Sequence, residues 1–247
     1  MQETKINNIM KNYNFIVSQQ EYNFILDLRR TLLLNYYAQE IDVQECKTQH
    51  PLNKSNADVK TKVNILNAYY STRVEVKPMV KNIVNQNVDN DLKKGNLSVV
   101  AKIAYATPTR DNFSFATKYC ALHEPDLFPI YDRLVWNFFS KLNRLGFFSK
   151  ETKKKFANVN KNGSKAYNDY IDIYNEFINK SGIRPFFKNY REVDAYIWGA
   201  FQMYLLIEKK SKYTGIKPYE QFFRTFAATV LANLTSTAIW HILTQIF

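Results

Sequence analysis

Between Ser114 and Val135 the chain reads SFATKYCALHEPDLFPIYDRLV, and this stretch decides how the rest is read. Ser114, Phe115, Ala116 and Thr117 begin a helix of small and apolar residues, predicted over Phe113 to Leu122. His123-Glu124-Pro125-Asp126 breaks it. An apolar, strand-like run follows, Leu127-Phe128-Pro129-Ile130-Tyr131, and ends at Asp132, which opens another helix. Aspartate is a favoured N-cap because its carboxylate accepts backbone N–H groups that have no partner inside the helix. A capping duty alone is therefore one reading of Asp132. A carboxylate placed for chemistry is the other.

Outward from this stretch the periodicity is helical. Apolar residues recur every three or four positions over Gln20–Ala38 and Val59–Tyr70, and helices are also predicted over Pro78–Val88, Asn96–Tyr105, Ala166–Asn179 and Glu192–Glu208. Glu45–Asn56, with Pro51, reads as a loop, and Thr107–Asn112 as a turn. Lys150–Lys165 carries six lysines against Glu151 alone, and reads as a solvated loop or a phosphate-binding arm. With 6 glycines, 7 prolines and no alternating pattern, an all-α class is expected. No repeat of solenoid period is present.

Composition bounds the function. The 247 residues are 46% apolar, which suits a packed globular chain. Lys+Arg 34 against Asp+Glu 22 gives +12 and favours polyanionic partners, nucleic acid or an anionic surface. Cys46 and Cys120 are too few for a four-thiolate cluster or a disulfide scaffold, and read as reduced intracellular thiols. His50, His123 and His241 show no metal-ligand spacing, so no metal or cofactor is expected. Cys120 and His123 are three apart, but nothing in sequence orients that imidazole, and a buried thiol is the ordinary case. Met1–Asn14 is polar, without the apolar segment of a secretory leader. Thr225–Phe247 lacks charge, yet polar residues interrupt it and Phe226, Val230, Leu234, Ala238, Ile242 and Ile246 recur every four, so a terminal core helix is expected rather than a membrane span.

The 114–135 stretch resembles the helix-hairpin-helix–GPD superfamily of DNA glycosylases. Phe128-Pro129-Ile130-Tyr131-Asp132-Arg133-Leu134-Val135 is similar to the family's segment ending in a catalytic aspartate, and Ala116 stands sixteen residues before Asp132, near the family's spacing. Upstream, Leu66-Asn67-Ala68-Tyr69-Tyr70-Ser71-Thr72-Arg73 resembles the helix end that enters the DNA. The family's glycine-rich hairpin is absent. Arg110-Asp111-Asn112-Phe113 stands in its place, with Asp111 or Asn112 able to supply positive φ.

The resemblance implies a two-lobed helical protein with a DNA cleft between the lobes. Residues 59–132 would form the lobe with the hairpin and Asp132, and residues 1–58 and 133–247 the second lobe. It implies a cytoplasmic, monomeric glycosylase that binds double-stranded DNA and excises a modified or mismatched base, in repair or phage defence. Asp132 would stabilise the oxocarbenium-like sugar and assist water. The bifunctional members' lysine is here Ser114, and Lys118 lies a turn further on, so a monofunctional enzyme without lyase activity is expected. Candidate DNA contacts are Tyr69, Tyr70, Ser71, Thr72, Arg73, Arg110, Asn112, Ser114, Lys118, Lys153, Lys154 and Lys155. Tyr119, Tyr131, Trp136 and Trp198 offer stacking surface for an extruded base. The rival readings are a non-catalytic basic helical protein that binds DNA or RNA, and a membrane-active effector using the uncharged C-terminal segment.

Overall fold

The computed structural model describes residues 16–32, 34–107 and 110–214, and for residues 28, 30–32, 34–40 and 206–214 the backbone alone. The leader expected to be absent at Met1–Asn14 and the helix expected over Thr225–Phe247 lie outside the described residues. The fold is all-α. Among the described residues the only β pairing is an isolated bridge between Thr107 and Arg110, and no helix is long and apolar enough to cross a membrane.

Eleven α-helices occur in the described residues: α1 Gln19–Leu32, α2 Leu34–Gln49, α3 Asn56–Tyr70, α4 Val76–Gln86, α5 Asp89–Lys93, α6 Ser98–Ala104, α7 Phe113–His123, α8 Arg133–Arg144, α9 Lys150–Asn162, α10 Tyr167–Ser181 and α11 Tyr190–Thr214. The helix expected over Gln20–Ala38 is met by α1 and the start of α2, which lie on either side of residue 33. Cys46 and Val43 are buried along α2, which is why it runs through part of the expected Glu45–Asn56 loop.

Helix α7 is the axis of the fold. Every residue from Phe113 to His123 except Ser114 is buried, because α2, α3 and α6 all pack against it. A helix enclosed on all sides reads as apolar all round, which explains the weak periodicity of its sequence. Helix α1 packs on α11, α8 packs on α11, and α9 packs on α10. Gly199 permits the first of these contacts. A Cβ there would sit 2.8 Å from Ile25 Cγ2 and 3.0 Å from the Ile25 carbonyl oxygen. The close approach brings Arg29 of α1 beside the pocket-facing side of α11.

Two expectations are corrected. Lys150–Lys165 is not a loop: Ser149 caps α9 by accepting from the Thr152 N–H, and Thr152, Phe156 and Val159 are buried at helical spacing. Lysines fill only its solvent side. Nor does the turn before α7 use positive φ at Asp111 or Asn112. Among the described residues, the non-glycine ones with positive φ are Ser71, Arg73 and Asn87. Instead Asn112 closes the turn, its backbone N–H and side-chain amide both donating to Ala104 O, at 3.0 and 3.1 Å.

The Phe128–Tyr131 run is extended without being a strand. Its polar groups are met by side chains. Tyr167 and Tyr170 of α10 donate to the carbonyls of Pro129 (2.7 Å) and Ile130 (2.5 Å), and the Tyr131 N–H donates to Thr117 Oγ1 at 3.0 Å. Buried backbone groups require such partners, and these three fix the path of the chain into Asp132.

Candidate functional site

Asp132 is the N-cap of α8, its Oδ1 accepting from the Leu134 N–H at 2.7 Å. Capping uses one carboxylate oxygen. The other accepts from Lys118 Nζ at 2.9 Å. Lys118 is itself buried, 4% exposed, and donates also to Ser114 Oγ at 2.9 Å. Its ammonium lies 4.8 Å from the centre of the Tyr70 ring. Ser114 and Lys118 are one turn apart on α7, so the position expected to carry a lysine holds the hydroxyl that steadies one. Lys118, one of the expected DNA contacts, is turned toward the cavity on the same face of α7 as Ser114.

This ion pair opens on a cavity of about 300 Å³. Tyr69, Tyr70 and Ser71, at the end of α3, line it on one side; Ile130, Leu134 and Val135 give it an apolar wall; Arg29, Arg191, Asp194 and Trp198 complete it. Three cations thus face two carboxylates. Asp194 was not singled out in the sequence. Its Oδ1 is inaccessible to solvent and lacks a hydrogen-bond partner. Burial, with Asp132 adding repulsion, raises its carboxyl to about 7, against the pull of Lys118, Arg29 and Arg191. Such a group titrates in the range useful for proton transfer. Arg191, Asp194 and Trp198 stand at helical spacing on α11, so the signal that proposed Trp198 extends to its neighbours on the same face.

The other aromatic candidates lie elsewhere. Tyr119 is fully buried, with its hydroxyl on Asn53 Oδ1. Trp136 packs on Phe156, and Tyr131 stacks on Phe113 at 4.1 Å. None of the three lines the cavity: Tyr119 and Trp136 belong to the core, and half-buried Tyr131 packs against it.

The expected DNA-facing residues fall into three groups. Ser71, Arg73 and Arg110 are exposed and adjoin: Arg110 Nη1 donates to the Arg73 carbonyl at 3.2 Å. Thr72 and Asn112 are turned inward onto Asn67 and Ala104. Lys153 and Lys154 are exposed on α9, whereas Lys155 pairs with Asp172 at 2.6 Å. The short 3-10 turn after α9, Gly163–Ala166, reaches the turn before α7, where the Ser164 N–H donates to Asp111 Oδ2 at 2.9 Å.

Comparison with known proteins adds little chemistry. A family model, HI_0787_N, described as an N-terminal domain, matches residues 5–127. That span includes Tyr69, Tyr70, Ser71 and Lys118 but stops before Asp132. An uncharacterized protein of Haemophilus influenzae is 29% identical over 141 residues, a match covering 55% of this chain and 62% of that protein, less than two thirds of its length. No solved structure matches.

Proposed function

We propose that the protein is a DNA N-glycosylase that draws one modified or mismatched base out of a duplex into the Asp132 cavity. The observation that carries this reading is the pair of buried Lys118 and half-buried Asp132 facing that cavity, with the end of α3 at its rim. Breaking an N-glycosidic bond sends the electron pair to the base nitrogen and leaves positive charge on the sugar. The Asp132 carboxylate, held by the Leu134 N–H and Lys118, offsets that charge. Trp198 supplies a π-face for the base, and the +12 chain supplies attraction to phosphates.

The position of Lys118 supports a second nucleophile beside water. Lys118 passes one ammonium proton to the Asp132 carboxylate it touches, and its free amine attacks C1′ as the C1′–N bond breaks. The base nitrogen keeps the electron pair and takes the proton from Asp132, and a proton then moves from the new C1′ amine to O4′ as the ring opens to a Schiff base. This gives the enzyme lyase capability that Ser114 alone would deny it. The test is release of bases from genomic and phage DNA, followed by mass spectrometry, with borohydride present in a parallel reaction. Wild-type protein should release a base and be trapped on DNA, with trapping lost in Lys118→Gln. Asp132→Asn keeps a competent cap and should lose about 10²–10³-fold in release, with duplex affinity retained. Release without trapping returns the reaction to water as nucleophile. Absence of any release leaves the basic, non-catalytic nucleic-acid-binding protein.

A further inference from the structure

The segment after α3 adopts a costly backbone path. Ser71 and Arg73, neither of them glycine, both have positive φ, at 50° and 55°, a region where a side chain crowds its own backbone. Such conformations persist only where surrounding contacts over-determine them, and they concentrate at functional sites. Here the contacts converge on one side chain. Asn67, a turn before the helix end, accepts from Thr72 Oγ1 at 2.6 Å and from the Val74 N–H at 3.0 Å through Oδ1, and donates to the Val74 carbonyl at 3.0 Å through Nδ2. One amide thus grips the chain on both sides of Arg73. Arg110, from the hairpin, holds the Arg73 carbonyl from outside.

The gripped residues stand at the rim of the cavity. Ser71 lines it, and Arg73 is exposed beside it. Val74 is buried and anchors the far side. Ser71 is the left-handed C-cap of α3, an ordinary helix ending; Arg73 is a second left-handed residue with no capping duty, and it is the one that Asn67 and Arg110 enclose.

We propose that Asn67 is a positioning residue that holds Ser71–Arg73 as a preformed wedge, ready to fill the space a base vacates. The proposal rests on the base-extruding reading above, and it names how extrusion is prepared: the ordering of the loop is completed before DNA arrives, so binding does not bear that entropy. Asn67 touches no substrate; it acts through the backbone of Ser71–Val74.

The experiment follows fluorescence of a duplex carrying 2-aminopurine, which brightens on unstacking, mixed with wild-type protein, Asn67→Ala, Asn67→Asp and the double variant Asn67→Ala/Ser71→Gly. Duplex affinity, base release and circular dichroism are measured on the same preparations. Wild type should give a fluorescence rise. Asn67→Ala should slow it at least tenfold while duplex affinity changes by less than twofold. Asn67→Asp keeps the two acceptor contacts but loses the donor, and should fall between. Glycine at 71 tolerates positive φ, so the double variant should regain stability, which circular dichroism reads on heating; a purely stabilising asparagine would then regain the wild-type rate, whereas a wedge that needs Asn67 on Thr72 and Val74 stays slow. If Asn67→Ala fails to fold, Asn67→Asp carries the test. Wild-type extrusion rates in Asn67→Asp, or no rise with the wild-type protein, overturn the proposal. Base release by wild type reports separately: release with an indifferent Asn67 sinks the wedge and spares the glycosylase, and extrusion without release does the reverse.

Discussion

Two lysines are buried at helix α7, and they are buried differently. Midway along it, Lys118 meets one carboxylate oxygen, one hydroxyl and the face of Tyr70, and looks into a cavity. Near its end, Lys62 is fully enclosed. It donates to the carbonyls of His50 (3.0 Å) and Leu52 (2.8 Å) and to Asn53 Oδ1 (2.5 Å), and lies 3.4 Å from His123 Nε2. Asn53 is fixed in turn by Asp89 and by the Tyr119 hydroxyl. Every proton of Lys62 has a protein acceptor, so it ties the Pro51 loop to α3 and α7. The Lys118 site instead holds an orphaned carboxylate oxygen on Asp194 and open volume. Complete satisfaction marks a strut. Incomplete satisfaction around a cavity marks a place for something else to bind.

The sharpest way to break this contrast is to remove the strut. Lys62→Met strands three acceptors, each costing about 1–3 kcal/mol when buried without a donor, so urea unfolding at pH 7 should show a loss of at least about 2 kcal/mol. The pH dependence has a defined sign. Burial lowers the Lys62 amine from 10.5 to about 8. Between those values the unfolded chain binds the extra proton, so wild-type stability, taken relative to Lys62→Met, should rise with pH across 8–10.5. A flat difference would mean that Lys62 is better solvated than its contacts indicate.

Asp194 should behave in the opposite sense. Its carboxyl is raised from 3.8 to about 7, so between those values the folded chain holds the extra proton and stability falls as pH rises. Asp194→Asn removes that slope. The variant should gain on wild type from pH 4 to pH 7 and hold the advantage above, by roughly 1–2 kcal/mol once solvent relaxation is allowed for. A variant that is less stable at pH 8 would place Asp194 among the struts.

The smallest effect belongs to the surface. Lys153 and Lys154 are exposed on α9, while Lys155 is engaged with Asp172. Neutralising the first two should weaken binding to all duplexes alike, and flatten the slope of log affinity against log salt by about 0.9 for each phosphate no longer neutralised. An unchanged slope would move the DNA face wholly to the Ser71–Arg73 and Arg110 side.

Much of this was legible in the residues themselves. The 3.6-residue rhythm gave helices because burial of one face repeats at that interval, and Asp132 was readable as a cap because its type and its place after Pro129 and Tyr131 suit one. The reach of α2 into Glu45–Gln49 and the helical state of Lys150–Asn162 were not readable, since a few buried side chains, Val43 and Cys46 in the first and Phe156 and Val159 in the second, decide them against a polar background. Sequence alone determined that the chain is helical and basic, with a carboxylate at a helix start and tyrosines at a helix end. Only the tertiary structure decided which of those residues meet. It turned Lys118 into the cavity and Tyr119, its neighbour, into the core, and it drew Arg29 and Asp194 in from distant helices. The physical reason is that periodicity assigns a residue to a face, whereas the packing of α1 over Gly199 and the enclosure of α7 decide what that face confronts.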